Sequence, residues 1–177
     1  MNFYLKIFVV LFYTFSLNAC ISNTDNRKEV PQKNVKESLV KANKYLVIAE
    51  NDEINNYINR RSWEMIETGT GLRYEIYEQG TGPEVVKGQI VVLNYELRLI
   101  TGDLVYSSEM DGAKSFMVGY WGLETGLEEA VLFLKKGDKA RIILPSHLAY
   151  GLLGDQKRIP SRSTLIYNVE VTNIIEQ

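Results

Sequence analysis

The sequence predicts an α+β domain, mostly antiparallel strands covered by one short helix and preceded by a helical arm. Three observations lead there. Apolar residues recur at helical spacing from Leu39 onward, then alternate one by one from Gly71. Turn residues, Gly80-Thr81-Gly82-Pro83 and Thr101-Gly102-Asp103, punctuate the alternating half. A single later stretch, Thr125 to Gly137, returns to helical spacing. A sheet with one apolar face needs a cover, and one amphipathic helix can supply it.

The chain opens with MNFYLKIFVVLFYTFSLNAC. Lys6 gives a positive start and Ile7 to Leu17 an apolar run too short to span a bilayer comfortably, so residues 1–19 read as a secretory signal peptide. Leu17-Asn18-Ala19-Cys20 resembles a bacterial lipobox, whose cysteine is lipidated and becomes the first mature residue. Cys20 is the sole cysteine, so an exported chain has no internal disulfide partner for it, and lipidation accounts for it. A lipid on Cys20 would hold the domain at a membrane surface in the cell envelope without spanning it. Residues 20–34 are polar, contain Pro31 and read as a tether.

Residues 35–68 read as the helical arm. Asn34 followed by Glu37 fits an N-cap with its reciprocal glutamate, and Leu39, Ala42, Leu46 and Ala49 form a stripe. Asn51-Asp52 interrupts it and Ile54, Tyr57 and Ile58 resume it, which predicts one longer and one shorter helix. The arm lacks the sustained heptads of a coiled coil, so it reads as an extension that packs on the domain or stays solvated.

Residues 69–177 form the domain. GLRYEIY sets Leu72, Tyr74 and Ile76 against Arg73, Glu75 and Tyr77, and IVVLNYELRL puts Val91, Leu93, Tyr95, Leu97 and Leu99 on one face. Short strands follow at LVYSS and SFMVG. Thr125-Gly126-Leu127-Glu128 fits a capping box, with Lys135 and Lys136 suiting the negative helix end and Gly137 the C-cap. DKARIILP is the next strand. In the last, STLIYNVEVTNII, Leu165, Tyr167, Val169 and Val171 share a face.

Composition narrows the function. Apolar residues are 45% of the 177, enough for a core, and a net charge of −2 gives no reason to expect nucleic acid as a partner. Phosphate-loop and Gly-x-Ser-x-Gly patterns are absent from the sequence. With one histidine and one cysteine, zinc or cysteine-nucleophile chemistry lacks its clusters, and no metal is expected. His147 has no nearby acid or nucleophile in sequence and reads as a solvated loop residue. Glu128 and Glu129 are adjacent on a helix and do not face one another. What remains is a set of aromatic and aliphatic residues in loops and at strand ends: Tyr95, Tyr106, Phe116, Leu127, Tyr150, Ile159 and Tyr167. Such residues suit either a core or a shallow apolar pocket.

Read in order, GTGP, VVLNYEL, TGDLVYSS, SFMVGYWGLETGLEEAV, KGDKARIILP, LAYG and IPSRSTLIYNVEV resemble the FKBP-type peptidyl-prolyl isomerases, over about Gly71 to Ile175. Together with the signal peptide and lipobox, the pattern is similar to members that are lipoproteins associated with gliding motility. The resemblance implies a highly curved sheet wrapped around the short helix, and isomerisation of proline-containing polypeptide clients without a cofactor. It places Tyr95 on the pocket wall and Phe116 at an aromatic of a Phe-x-Phe segment. It gives Leu123 and Glu124 as ligand-contacting backbone before the helix, and puts Leu127 where a tryptophan forms the floor. Tyr150 becomes a hydroxyl donor to a ligand carbonyl, with Ile159 and Tyr167 as loop and last-strand apolar walls. Four positions depart from the pattern: Val105 replaces a phenylalanine, Tyr106 an aspartate, Lys114 the other Phe-x-Phe aromatic, and Asp155 a loop histidine. Those departures leave two functions open, an isomerase helping extracytoplasmic proteins fold, or a non-enzymatic chaperone or binding module with envelope-complex partners.

Overall fold

The computed structural model describes residues 32–120 and 124–176. The signal peptide, Cys20 and Leu123 lie outside these residues. The chain divides into two units, Met1–Val40 and Lys41–Gln177, and the whole sheet lies in the second.

Helix α1, Gln32–Arg61, is continuous. This corrects the expectation of two helices with a cap at Asn34, since the helix starts two residues earlier and runs through Asn51-Asp52. The Asn51 side chain does not turn back on its own backbone; it accepts a hydrogen bond from the Arg73 guanidinium. Occupied in that way, it does not compete with the helix for backbone groups.

Seven strands come after it: β1 Ile66–Glu67, β2 Arg73–Glu78, β3 Ile90–Leu99, β4 Leu104–Ser107, β5 Lys114–Met117, β6 Lys139–Leu144 and β7 Leu165–Ile175. A one-turn helix α2, Ser108–Asp111, leaves β4, and α3, Thr125–Val131, stands between β5 and β6. The order across the sheet is β1-β2-β6-β7-β3-β4, with β5 also on β3, and all pairs are antiparallel. The second edge of β3 is therefore shared, Ile90 to Leu93 with β5 and Glu96 to Arg98 with β4.

The period-two alternation sends Val91, Leu93, Tyr95 and Leu97 of β3 and Leu165, Tyr167, Val169 and Val171 of β7 into one buried cluster with α3. Leu127, Ala130, Val131 and Leu134 come from the helix side and are all at most 1% exposed. Each such Leu or Val contributes roughly 1.5–3 kcal/mol on leaving water. Gly126 allows this approach, because a Cβ there would lie 2.7 Å from Leu144 Cδ2 and 2.9 Å from Leu148 Cβ. On the opposite face Ile143 and Ile166 pack against Ile54 and Tyr57 of α1, so the second half of the arm covers the sheet.

The ends of α3 differ from the capping expectation. Its N-cap is Glu124 and not Thr125, with no side-chain cap bond, and the helix stops at Val131 with Leu132 as C-cap. Asp138 explains the early stop, since its carboxylate accepts from the Lys135 N–H at 2.9 Å and from the Gly80 N–H at 2.7 Å, folding the chain into a turn. Gly137 serves that turn at φ 91°. Glu124 does not cap because its side chain is directed inward.

Candidate functional site

The loop between β6 and β7 begins with a 3-10 turn, Ser146–Leu148, and carries Tyr150, Asp155 and Ile159. Its base is tied by Gly151 N–H to Ser146 O and Arg162 N–H to Gly151 O, both 2.8 Å. Its tip is organised by Asp155, whose Oδ1 accepts from the N–H groups of Ile159 at 2.7 Å and Lys157 at 2.9 Å. The Asp155 N–H in turn reaches Ile159 O at 3.1 Å. Gly154 sits at φ 66°, and a Cβ there would stand 2.2 Å from Ile159 O. That folding turns Ile159 inward to 3% exposure in an otherwise polar loop.

Facing the loop, β4 sets Tyr106 opposite Leu97 of β3. The Tyr106 hydroxyl donates to Asp155 Oδ2. Arg158 lies over the Tyr106 ring, 4.9 Å from its centroid, and donates to Val105 O at 2.9 Å. Burial would raise the Asp155 carboxyl, but the Tyr106 hydroxyl and the loop N–H groups outweigh it and hold it below its ordinary value. The same bond, with some burial, lifts the Tyr106 phenol.

Between loop and sheet lies a cavity of about 370 Å³. Tyr95, Leu97, Tyr106 and Tyr150 give it apolar and phenolic walls, and Lys114, Asp155 and Lys157 give it charge. A larger hollow of about 620 Å³, lined by Asn94, Arg141, Asn168 and Glu170 among others, is polar and shares only Tyr95 with it.

Beneath the cavity is a buried polar network. The Tyr167 hydroxyl, in a residue with no exposed surface, donates to Glu124 Oε1 at 2.7 Å. Lys114 Nζ donates to the Tyr167 oxygen at 3.3 Å and stands 3.6 Å from Glu124 Oε1. The ammonium also lies 5.3 Å and 5.5 Å from the ring centroids of Tyr95 and Tyr167, close enough for a cation–π attraction. Glu124 Oε2 is buried and makes no geometrically acceptable hydrogen bond, yet the carboxylate acts electrostatically on Tyr150. Burial first and Glu124 second push the Tyr150 phenol far up, and the same two causes raise Tyr167. Burial, then Asp111 and Glu124, raise Tyr95. All three remain hydroxyl donors at neutral pH.

Of the residues singled out in the sequence, Tyr95, Tyr106 and Tyr150 line the cavity, while Tyr167 and Glu124 reach it through Lys114. Val105, Phe116, Leu127 and Ile159 belong to the same apolar cluster without lining the cavity. The inward Glu124 side chain is not foreseeable from the motif, which points only to its backbone. Leu97 and Lys157 also escape the sequence reading as site residues, although Leu97 is one alternation step from Tyr95. His147 is exposed, with Nε2 3.0 Å from Thr70 O, and takes no part. Glu129, instead of being solvated, accepts from the hydroxyls of Thr68 and Thr70 at 2.9 Å. Among the described residues no cluster of three or more His, Cys, Asp or Glu could hold a metal, and no helix is long and apolar enough to cross a membrane.

Comparison with known proteins bears on this geometry. Residues 82–172 match the family described as FKBP-type peptidyl-prolyl cis-trans isomerase. A probable FKBP-type isomerase FkpA of Neisseria meningitidis is 36% identical over 108 residues, 60% of this chain and 39% of the relative. An FKBP-type 22 kDa isomerase of Escherichia coli is 33% identical over 109 residues, 61% of this chain and 52% of the relative. The chain thus spans between two-fifths and about half of these relatives. Among solved structures, FkpA from Escherichia coli covers 97% of this chain over 81% of its own, with 26% identity and a TM-score of 0.62. AtFKBP13 matches over 62% of this chain and 98% of its own, with 28% identity and a TM-score of 0.60.

Proposed function

The chain belongs to the FKBP-type peptidyl-prolyl cis-trans isomerase family, and we propose that it accelerates rotation about X-Pro bonds in polypeptide clients outside the cytoplasm. The observation that carries this reading is the Tyr150 hydroxyl at the wall of a cavity otherwise built from Tyr95, Leu97 and Tyr106. Rotation faces a barrier of ~18–20 kcal/mol because the amide loses resonance. No bond is broken, so no nucleophile is called for. The twisted amide has less charge separation than the planar one, and an apolar wall favours it relative to water. Tyr150, kept protonated by its surroundings, supplies a donor to a client carbonyl. Uncatalysed isomerisation takes tens of seconds or longer, so a catalyst shortens a slow folding step.

The full chain purified in detergent tests this. Cis/trans exchange in a proline peptide should speed up, and no acceleration at micromolar protein sinks the isomerase reading. The Lys114–Glu124 ion pair favours a second reading, because a charged floor suits an aliphatic ring less well. In that reading the domain is a non-enzymatic chaperone or binding module for an envelope complex. It would lose its support if Tyr150→Phe with Tyr167→Ala abolished isomerisation and biological function together.

Anchoring at a membrane through Cys20 is part of the proposal, supported by the Leu17-Asn18-Ala19-Cys20 motif and the apolar run before it. Metabolic labelling with a fatty acid should mark the wild type and miss Cys20→Ala; persistent labelling refutes it. A role in gliding motility is supported by the resemblance of the N-terminal pattern and domain to lipoproteins of that process.

A further inference from the structure

We propose that Glu50, on helix α1 and outside the cavity, is a positioning residue for the loop that carries Tyr150 and Ile159. Its carboxylate holds both ends of that loop. Oε1 accepts from the Ser146 N–H at 2.6 Å and from the Thr164 hydroxyl at 2.8 Å, and Oε2 accepts from the Ser146 hydroxyl at 3.0 Å. Ser146 is 7% and Thr164 3% exposed, so without Glu50 these donors would be left nearly dry and unpaired. Bonds to a carboxylate are also stronger than neutral ones.

The sheet by itself brings the loop ends together, through Leu144 paired with Leu165, but leaves open the direction in which the loop departs. Glu50 fixes that direction. Ser146, held by Glu50, accepts the Gly151 N–H, and Gly151 accepts the Arg162 N–H, so Tyr150 hangs one residue from a chain of bonds that starts at the helix. Arg162 is held at φ 57°, a left-handed conformation that a non-glycine residue keeps only when its surroundings impose it. Helix α1 does not depend on Glu50 for its own docking, since Ile54 and Tyr57 are buried on the sheet and Asn51 engages Arg73. Glu50 therefore acts locally, on the loop.

The inference rests on the isomerase reading for its kinetic consequence and on the hydrogen bonds for its structural one, and the test separates the two. In the full chain, Glu50→Ala should raise amide exchange across residues 149–163 by about tenfold or more while β3 and β7 keep their protection. With a prolyl peptide, KM should rise several-fold and kcat change little, because a smaller fraction of molecules holds the loop ready. Glu50→Gln should restore both readouts: its carboxamide oxygen accepts from Ser146 N–H and Thr164, and its NH₂ donates to the Ser146 oxygen. Unchanged loop exchange in Glu50→Ala overturns the proposal, as does a Glu50→Gln that behaves like Glu50→Ala. If Glu50→Ala does not fold, Thr164→Val removes a single bond; an intermediate rise in loop exchange supports the proposal and no rise overturns it. A wild type without isomerase activity counts against the enzyme reading alone, since the exchange data still judge the latch.

Discussion

Lys114 Nζ stands 3.6 Å from Glu124 Oε1, the side chains being 18% and 1% exposed. The pair links β5 to the start of α3 directly under the cavity, and its members depend on each other. Removing the ammonium leaves a carboxylate buried with only hydroxyl neighbours. Lys114→Met should therefore destabilise the domain by about 3 kcal/mol, whereas Lys114→Met with Glu124→Leu should return close to wild type. Urea unfolding of the two variants checks this. A single variant as stable as wild type would mean that the pair carries no structural weight.

Tyr150→Phe removes one hydroxyl from the cavity wall and leaves the ring. A hydrogen bond to a client carbonyl contributes ~0.5–1.5 kcal/mol, so kcat/KM should fall about 2- to 12-fold. Exchange spectroscopy on a proline peptide reads this directly. A loss of several hundredfold would assign Tyr150 a larger part than carbonyl binding.

Asp155 gives the loop a pH dependence of known sign. Its carboxyl lies below its ordinary value in the folded chain, so its contribution is complete above the usual carboxylate range. It is lost as the pH falls through that lowered value. Amide exchange at Lys157 and Ile159, whose N–H groups it holds, should rise on acidification. In Asp155→Asn that acid-dependent rise should vanish.

At the alkaline end the phenols act in the opposite direction. Tyr95, Tyr150 and Tyr167 are raised when folded. Their contribution is complete below the ordinary tyrosine value and is lost as the pH climbs past it. Absorbance titration of phenolate should show three tyrosines that ionise only above their exposed counterparts, or together with unfolding.

Gly154→Ala should open the cavity from the loop side. The added methyl would meet Ile159 O at 2.2 Å on a backbone held at φ 66°, so the turn has to rearrange and Ile159 to withdraw. Isomerisation should fall by more than for Tyr150→Phe, with the melting temperature of the sheet little changed. Wild-type activity would show that Ile159 does not need its buried place.

The strands are legible in the sequence because their alternation is long and uninterrupted: Val91 to Leu97 and Leu165 to Val171 declare a buried face without help from neighbours. The arm is misleading at Asn51, because what keeps that residue helical is Arg73, 22 positions on. The cap of α3 reads one residue late, since a local pattern cannot reveal that Glu124 is engaged by Tyr167, 43 positions away. Lys114 stands out as a departure, but its partner does not. Two opposite charges at places where the motifs are otherwise apolar are a signal that only becomes readable when both are considered together. Glu50 has no local signature, because its three bonds reach 96 and 114 positions ahead.

The pairing of β3 with β7 joins residues more than 60 positions apart, from Leu99 with Leu165 to Ile90 with Ile175. Closing so wide a loop costs chain entropy before any contact compensates for it, and domains dominated by such distant pairings fold in milliseconds to seconds, far slower than helical bundles. The two strands that hold Tyr95 and Tyr167 at the cavity are thus the ones that meet across the greatest contour length. A half-folded domain exposes the unpaired edge of β3, so the molecule is itself open to misassembly until its own last strand arrives.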